Sequence, residues 1–207
     1  RKTIAGHMKN SLANTAQLSY FLEVDVTEAQ KIRREQDLGM AEVLIKATSE
    51  ALIRVPALNS VLVNDAIMKF DRVNIAFAVA LDDGLVVPVI RETNSKNIRE
   101  IAGEVKTLSE AAKNGILGPD DFMGGTFTIS ILGSVDGFTP ILNQSQVGLL
   151  GVGRSLQKPI VKDGQVVIRE MMTLSLTGDH QVVDGAVAAS FFRRLQRLIE
   201  SPSKLFA

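Results

Sequence analysis

The sequence predicts one α/β domain in which helices pack on a mixed β-sheet. Stretches with apolar residues three and four apart alternate with short runs rich in Val, Ile, Thr and Phe, so helices and strands are interleaved rather than segregated. Asn-Asp and Asp-Gly pairs stand between strand-like runs, where tight hairpin turns need positive φ. A length of 207 residues without a repeat or low-complexity linker fits a single domain over 1–207 with a sizeable core.

Each element has its own signal. Ile4, Met8 and Leu12 lie on one helical face within residues 1–17. YFLEVDV (20–26) alternates as a strand, and Thr27 is placed to cap a helix over TEAQKIRREQ. AEVLIKATSEALIRVP (41–56) gathers Val43, Leu44, Ala47, Ala51 and Leu52 on one face before a proline stop. SVLVNDAIMKF reads as a hairpin turning at Asn64-Asp65. RVNIAFAVAL and LVVPVIRE form a second, turning at Asp83-Gly84, whose nearly continuous apolar arms predict burial on both faces. NIREIAGEVKTLSEAAKNGIL is an amphipathic helix ending near Gly115. GGTFTISILGS and QVGLLGVGRS are strands, and VKDGQVVIREMMTLSLTGD is a hairpin turning at Asp163-Gly164. The last helix, GAVAASFFRRLQRLIESP, turns Phe191, Leu195, Leu198 and Ile199 inward and closes at Pro202.

Composition excludes several functions. The 23 Lys+Arg and 23 Asp+Glu cancel without a basic block, which argues against general nucleic-acid or membrane-surface binding. There is no cysteine, so disulfides, thiolate metal sites and a cysteine nucleophile are excluded, which fits a reducing compartment without requiring one. No apolar run has membrane-spanning length. The chain begins at Arg1 rather than Met, and is expected to be a piece of a longer polypeptide.

One of only two histidines stands in GDHQVVDG, Gly178 to Gly185. LSLTGDH reads as a strand running out into a loop and AVAASFFRRL as the following helix, so His180 is presented at a strand end and Asp184 sits at the helix N-cap. Two readings stand side by side. In one, Asp184 is simply a cap and His180 a loop residue. In the other, the imidazole takes and returns a proton near neutrality. Thiols ionise near about pH 8.5, so a modest pull creates a thiolate, and here any thiol must come with the substrates. His7 lies far away in the first helix with no clustered third ligand. It reads as a helix-surface residue, and no metal site is expected.

GDHQVVDG resembles the H-x-x-x-D-G motif shared by chloramphenicol acetyltransferase and the acyltransferase components of 2-oxo acid dehydrogenase complexes. RKTIAGHM resembles the second group's opening helix, DDGLVVPVIR its DGL-IVPV hairpin, GGTFTISILGS its GG-TFT-S-LG strand, and VGLLGVG the strand after it. These motifs span essentially the whole chain in the family's order. The resemblance implies a chloramphenicol acetyltransferase-like two-layer sandwich that forms trimers. It implies dihydrolipoamide acyltransferase activity, in which an acyl group moves between the thiol of lipoyl-lysine and that of coenzyme A. GSVDGFTPILNQSQ looks more like acetyl-transferring members than succinyl ones, so acetyl is expected.

What the resemblance implies for the site is specific. His180 would deprotonate the attacking thiol, and Ser130 would hydrogen-bond the oxyanion, a donor typically worth about 3 kcal/mol in a dry site. Asp184 would position the loop, through an arginine for which Arg1 is the candidate. Arg33, Gly151, Arg154, Ser109 and Ser130 would contact coenzyme A. The family commonly has Asn where this chain has Ile131 and Arg where it has Gln181. The first change removes one polar contact to coenzyme A; the second leaves acid, base and oxyanion donor intact.

The site would lie between subunits, His180 from one chain and Ser130 from the next, in trimers that build a cubic or dodecahedral core. Leu205-Phe206 is expected to be exposed and to join trimers. No lipoyl-lysine hairpin is present, so lipoyl domains, and contacts with the decarboxylase/dehydrogenase and dihydrolipoamide dehydrogenase components, would belong to an upstream region. The location implied is a bacterial cytoplasm or a mitochondrial matrix. Two rivals remain. A serine hydrolase lacks its G-x-S-x-G elbow here, and Ser130 falls inside a strand. A non-catalytic scaffold of the same complex is opposed by the retention of His180, Asp184 and Ser130.

Overall fold

The computed structural model describes residues 2–64, 66–82 and 84–206. Its elements are α1 (Lys2–Asn14), β1 (Gln17–Asp25), α2 (Thr27–Glu35), α3 (Met40–Ile53), β2 (Ser60–Val63), β3 (Ala66–Lys69), β4 (Ile75–Phe77), β5 (Val79–Leu81), β6 (Gly84–Val86), β7 (Val89–Ile90), α4 (Ile98–Lys113), β8 (Phe127–Ile131), β9 (Gly148–Lys162), β10 (Gln165–Asp179) and α5 (Gly185–Glu200). A six-stranded mixed sheet in the order β1-β10-β9-β8-β4-β7 organises them. β8 runs parallel to both β4 and β9, and the other pairs are antiparallel.

Strand alternation decides what each face carries. Phe127, Ile129, Leu150, Val152, Leu174 and Leu176 are essentially fully buried and point to the helix layer of α3, α4 and α5. Phe127 meets Phe191 of α5 with ring centroids 5.9 Å apart. The intervening residues Thr128, Ser130, Leu149, Gly151, Ser175 and Thr177 face the other way. That face is covered in part by α1 and by the segment 132–147, with Ser11 Oγ on α1 donating to Leu142 O at 2.7 Å. The sandwich thus has an apolar side that builds the core and a hydroxyl-rich side available for chemistry.

Several elements match expectation closely. The five α3 positions expected to face inward are all fully buried. Asn97 caps α4 in a reciprocal box with Glu100. The β9–β10 hairpin turns at Asp163 (φ 52°) and Gly164 (φ 76°), the left-handed pair that matches strand twist. On α5, Phe191, Leu195 and Ile199 are core, while Leu198 is only partly buried at its margin.

Three local expectations are corrected. Thr27 is the first residue of α2 and not its cap; its hydroxyl instead accepts from Glu170 N at 2.9 Å, and Asp25 Oδ1 accepts from Thr27 N at 3.0 Å. The apolar hairpin around Gly84 is not buried throughout. Its inner half, β4 and β7, joins the sheet, whereas β5 and β6 leave it as a separate ribbon with Leu85 50% exposed. Asp65 and Asp83, the other residues expected at these two turns, lie outside the described residues. Leu205 is not exposed. Pro202 ends α5 and opens a 3-10 turn (Pro202–Leu205) that folds Leu205 back into the core at 1% exposure.

Candidate active site

His180 follows directly on the end of β10 and is solvent-exposed within its own chain. Its loop is clamped from beneath. Asp179, only 2% exposed, accepts from Ala16 N (3.1 Å), Gln181 N (3.1 Å) and both-oxygen contacts with Gln181 Nε2 (3.2 and 3.1 Å). His180 N donates to Ala16 O at 2.8 Å, and Gln181 Nε2 reaches Asn14 O at 3.2 Å. The His loop is therefore zipped to the α1–β1 junction. The imidazole itself makes no hydrogen bond among the described residues, which leaves both ring nitrogens to partners outside this set. Asp184 caps α5 by accepting from Val187 N at 2.9 Å. It forms no ion pair among the described residues, and Arg1 lies outside them.

Ser130 opens elsewhere. It lines a cleft of about 370 Å³ with Ile4, His7 and Met8 of α1, Leu85 and Val87 of the outer hairpin, and Pro140 and Ile141. Thr128, two residues earlier on the same face, and Asn143 add polar atoms to it. The cleft is otherwise apolar, and holds no Lys or Arg among the described residues. In register, Ser130 pairs with Gly151, which pairs with Ser175. His180 is five residues further along β10 and two strands away, which puts it on the order of 15 Å or more from Ser130. One chain does not bring base and hydroxyl together.

The remaining candidates are scattered. Gly151 lies beside Ser130, and a Cβ there would collide with Ser175 Oγ and crowd Pro140, so this glycine is required by close packing of the 136–140 segment. Arg154 is further along β9, where Nε donates to Asp136 Oδ1 at 2.6 Å. Arg33 and Ser109 stand instead on α2 and α4, on the helix side of the sheet. Arg33 braces the α2–α3 turn through Gln30 Oε1 (2.5 Å) and Leu38 O (3.1 Å). Ile131 is 40% exposed at the end of β8. Gln181, in the position of the family's usual arginine, serves the Asp179 clamp. His7 is exposed on α1, as expected, and it also lines the Ser130 cleft. Sequence reading missed Asp179, although its place directly before the histidine was a signal. It also missed Thr128, Asn143 and Gln146, which nothing in their spacing connects.

The strand-end loop that bears His180 and the hydroxyl side of the sheet that bears Ser130 belong to a sandwich of the chloramphenicol acetyltransferase type. The profile of the 2-oxoacid dehydrogenases acyltransferase (catalytic domain) family matches residues 1–207, and the chain belongs to that family. It is 36% identical over 99% of its length to the dihydrolipoyllysine-residue acetyltransferase component of the acetoin cleaving system of Bacillus subtilis, covering 54% of that protein. It is 37% identical, over 99% of its length and 47% of the relative, to a mitochondrial succinyltransferase component of the 2-oxoglutarate dehydrogenase complex of Arabidopsis thaliana. The chain thus spans about half the length of the curated relatives it matches. Among solved structures, the cubic core of the pyruvate dehydrogenase multienzyme complex superposes with a TM-score of 0.93 at 35% identity, over 100% of this chain and 90% of that one. Chloramphenicol acetyltransferase shares the fold, with a TM-score of 0.63 at 16% identity over 94% of each chain.

Proposed function

We propose that this chain transfers an acyl group between the thiol of a lipoyl-lysine arm and the thiol of coenzyme A, at a site completed by a second copy of itself. The observation that carries this is the division of labour in one chain. A fixed, exposed histidine and a cleft-lining serine lie too far apart to act together within the chain, yet each is built as half of a site.

His180 accepts the proton of the incoming thiol. The thiolate attacks the thioester carbonyl, forming a carbon–sulfur bond and placing charge on oxygen. Ser130 Oγ donates to that oxyanion. Collapse breaks the other carbon–sulfur bond, and the departing thiolate takes the proton back from the imidazolium. No acyl-enzyme is needed, and the proton count closes within one turnover. The loop is held by Asp179, and Asp184 fixes the start of α5 beneath it; both act by positioning. Gly151 and Arg154, beside the Ser130 strand, and Arg33 and Ser109, from the helix layer, would line the path of coenzyme A, with the arginines meeting phosphate.

Acetyl is the acyl group that suits the cleft: among the described residues its lining offers no Lys or Arg to hold a second carboxylate, as succinyl would require. The two relatives, an acetyl and a succinyl component, are equally similar and do not decide this. Trimers assembling into a large core would cover the apolar surface left on one chain, including Phe21 (58% exposed) and the Val161–Val166 pair at the tip of the long hairpin (74% and 72%). Lipoyl domains and the other enzyme components would attach through sequence outside this chain, in a bacterial cytoplasm or mitochondrial matrix. The test is a spectrophotometric assay with acetyl, propionyl and succinyl coenzyme A and free dihydrolipoamide. Acetyl should be fastest, and His180→Ala should lose about 10²–10⁴-fold in kcat; equal rates for an active parent and variant would remove His180 as the base, and no transfer by the parent would leave the scaffold role.

A further inference from the structure

Beneath the Ser130 cleft runs a chain of side-chain hydrogen bonds whose direction can be worked out from one end. Gln146, 7% exposed, donates Nε2 to the carbonyl of Gly125 at 2.9 Å. A backbone carbonyl only accepts, so this fixes which end of the amide is nitrogen. Gln146 Oε1 is then an acceptor, and its partner at 2.6 Å, Thr128 Oγ1, must donate its single proton to it. With that proton committed, Thr128 Oγ1 meets Asn143 only as an acceptor, so Asn143 presents Nδ2, at 2.8 Å. The Asn143 carbonyl oxygen is thereby turned away from Thr128. It has no hydrogen-bond partner among the described residues, and it is not sealed from solvent. Asn143 lines the cleft beside Ser130 and Thr128.

The local backbone is shaped to make this relay. Residues 143–146 form a turn closed by Gln146 N donating to Asn143 O at 3.2 Å, with Ser145 held at φ 69°. Both corner amides are thus brought onto one hydroxyl of β8. Left-handed backbone at a serine is disfavoured, and here it coincides with the turn that brings the two amides together.

We infer that Asn143 is a substrate-binding residue whose Oδ1 accepts a hydrogen bond from the secondary amide N–H carried by a thiol-bearing arm, and that Thr128 is the positioning residue that aims it. The inference rests on the acyl-transfer reading. Both arms of that reaction carry such an amide, in the pantetheine chain of coenzyme A and at the lipoyl-lysine linkage. An acceptor suits this task and would not suit the oxyanion, which Ser130 serves as donor.

The experiment compares parent, Asn143→Ala, Thr128→Val and Thr128→Ser in steady-state transfer, with melting curves for each. Short substrates separate the two arms. S-acetyl-N-acetylcysteamine has the amide, and S-ethyl thioacetate lacks it. The N-methyl amide of dihydrolipoic acid has the secondary amide, and octane-1,3-dithiol has no such donor. Loss of one neutral hydrogen bond predicts a KM about 5- to 10-fold higher in Asn143→Ala for whichever amide-bearing arm is recognised, with kcat little changed and no effect on its amide-free counterpart. Thr128→Val should give a KM shift in the same direction for the same arm, and Thr128→Ser should restore the parent value. If Asn143→Ala does not fold, the Val and Ser variants decide. Equal loss on amide-bearing and amide-free substrates of both arms, or no difference between Thr128→Val and Thr128→Ser, overturns the assignment. An inactive parent would instead overturn the acyl-transfer reading itself, and the assignment with it.

Discussion

At the scale of single residues, the proposed site rests on positioning groups as much as on those assigned to touch substrate. Asp179 is a buried carboxylate that faces N–H groups from three directions, and removing it strands buried donors. Asp179→Ala should therefore cost about 1–3 kcal/mol in urea unfolding and lower kcat as the His loop loosens, whereas Asp179→Asn, which keeps one acceptor, should lose much less stability. Ser130→Ala removes a single donor to developing charge. It is expected to lower kcat by about 10²–10³-fold with an unchanged melting temperature, read in the same transfer assay. A rise in KM alone, with kcat unchanged, would place the hydroxyl in ground-state binding. The strand-end place of His180, the strand place of Ser130 and the N-cap place of Asp184 were legible from the sequence because each sits in a local motif. Asn143, Thr128 and Gln146 were not, because their relation exists only once a turn and a strand are stacked.

Elements are held by devices that propensity alone does not expose. β1 ends, and α2 begins, at an ion pair: Arg169 Nε donates to Asp25 Oδ2 at 2.7 Å, with side chains 19% and 14% exposed. Burial by itself raises the Asp25 carboxyl, but hydrogen bonds from Thr27 and Arg169 outweigh it and hold the group below its ordinary value. A depressed folded-state value contributes stability above the unfolded value, and loses it as pH falls through the folded one. Asp25→Asn should be less stable than the parent by about 1–2 kcal/mol at neutral pH, with the gap closing below about pH 4, as read from urea midpoints across a pH series. A constant gap across that range would remove the pair from the acid limb. The end of α5 behaves differently from its sequence. Leu205→Ala should cost about 2–3 kcal/mol in stability, since the leucine packs in this chain's own core. A variant with parental stability and a smaller particle by sedimentation would return the residue to an assembly role.

For the whole molecule, the decisive property is that His180 and Ser130, the two halves of the proposed site, lie on one chain but apart. Co-expression of His180→Ala with Ser130→Ala tests this directly. Each variant alone should be nearly inactive. In mixed trimers, a site formed by an intact histidine and an intact serine from adjoining chains occurs in about a quarter of random arrangements, so about that share of parental activity should return. No recovery in mixed particles, confirmed as mixed by mass spectrometry, would place both groups in one chain's site. The monomer's exposed apolar residues fit the same picture, because a lone chain that left Phe21, Val161, Val166 and Ile168 in water would forgo burial that assembly supplies.

The sequence by itself determined the order of helices and strands, the turns that carry φ-specific residues, the apolar face of each buried helix and the motif around His180. All of these depend on neighbours close along the chain, and periodicity reports them. Only the tertiary structure decided that the outer half of the Gly84 hairpin leaves the sheet, that Leu205 folds inward, that a buried aspartate clamps the histidine loop, and that Ser130 and His180 stand apart. These follow from strand register and from which surfaces remain uncovered after packing, and such relations join residues far apart in sequence that no local pattern records.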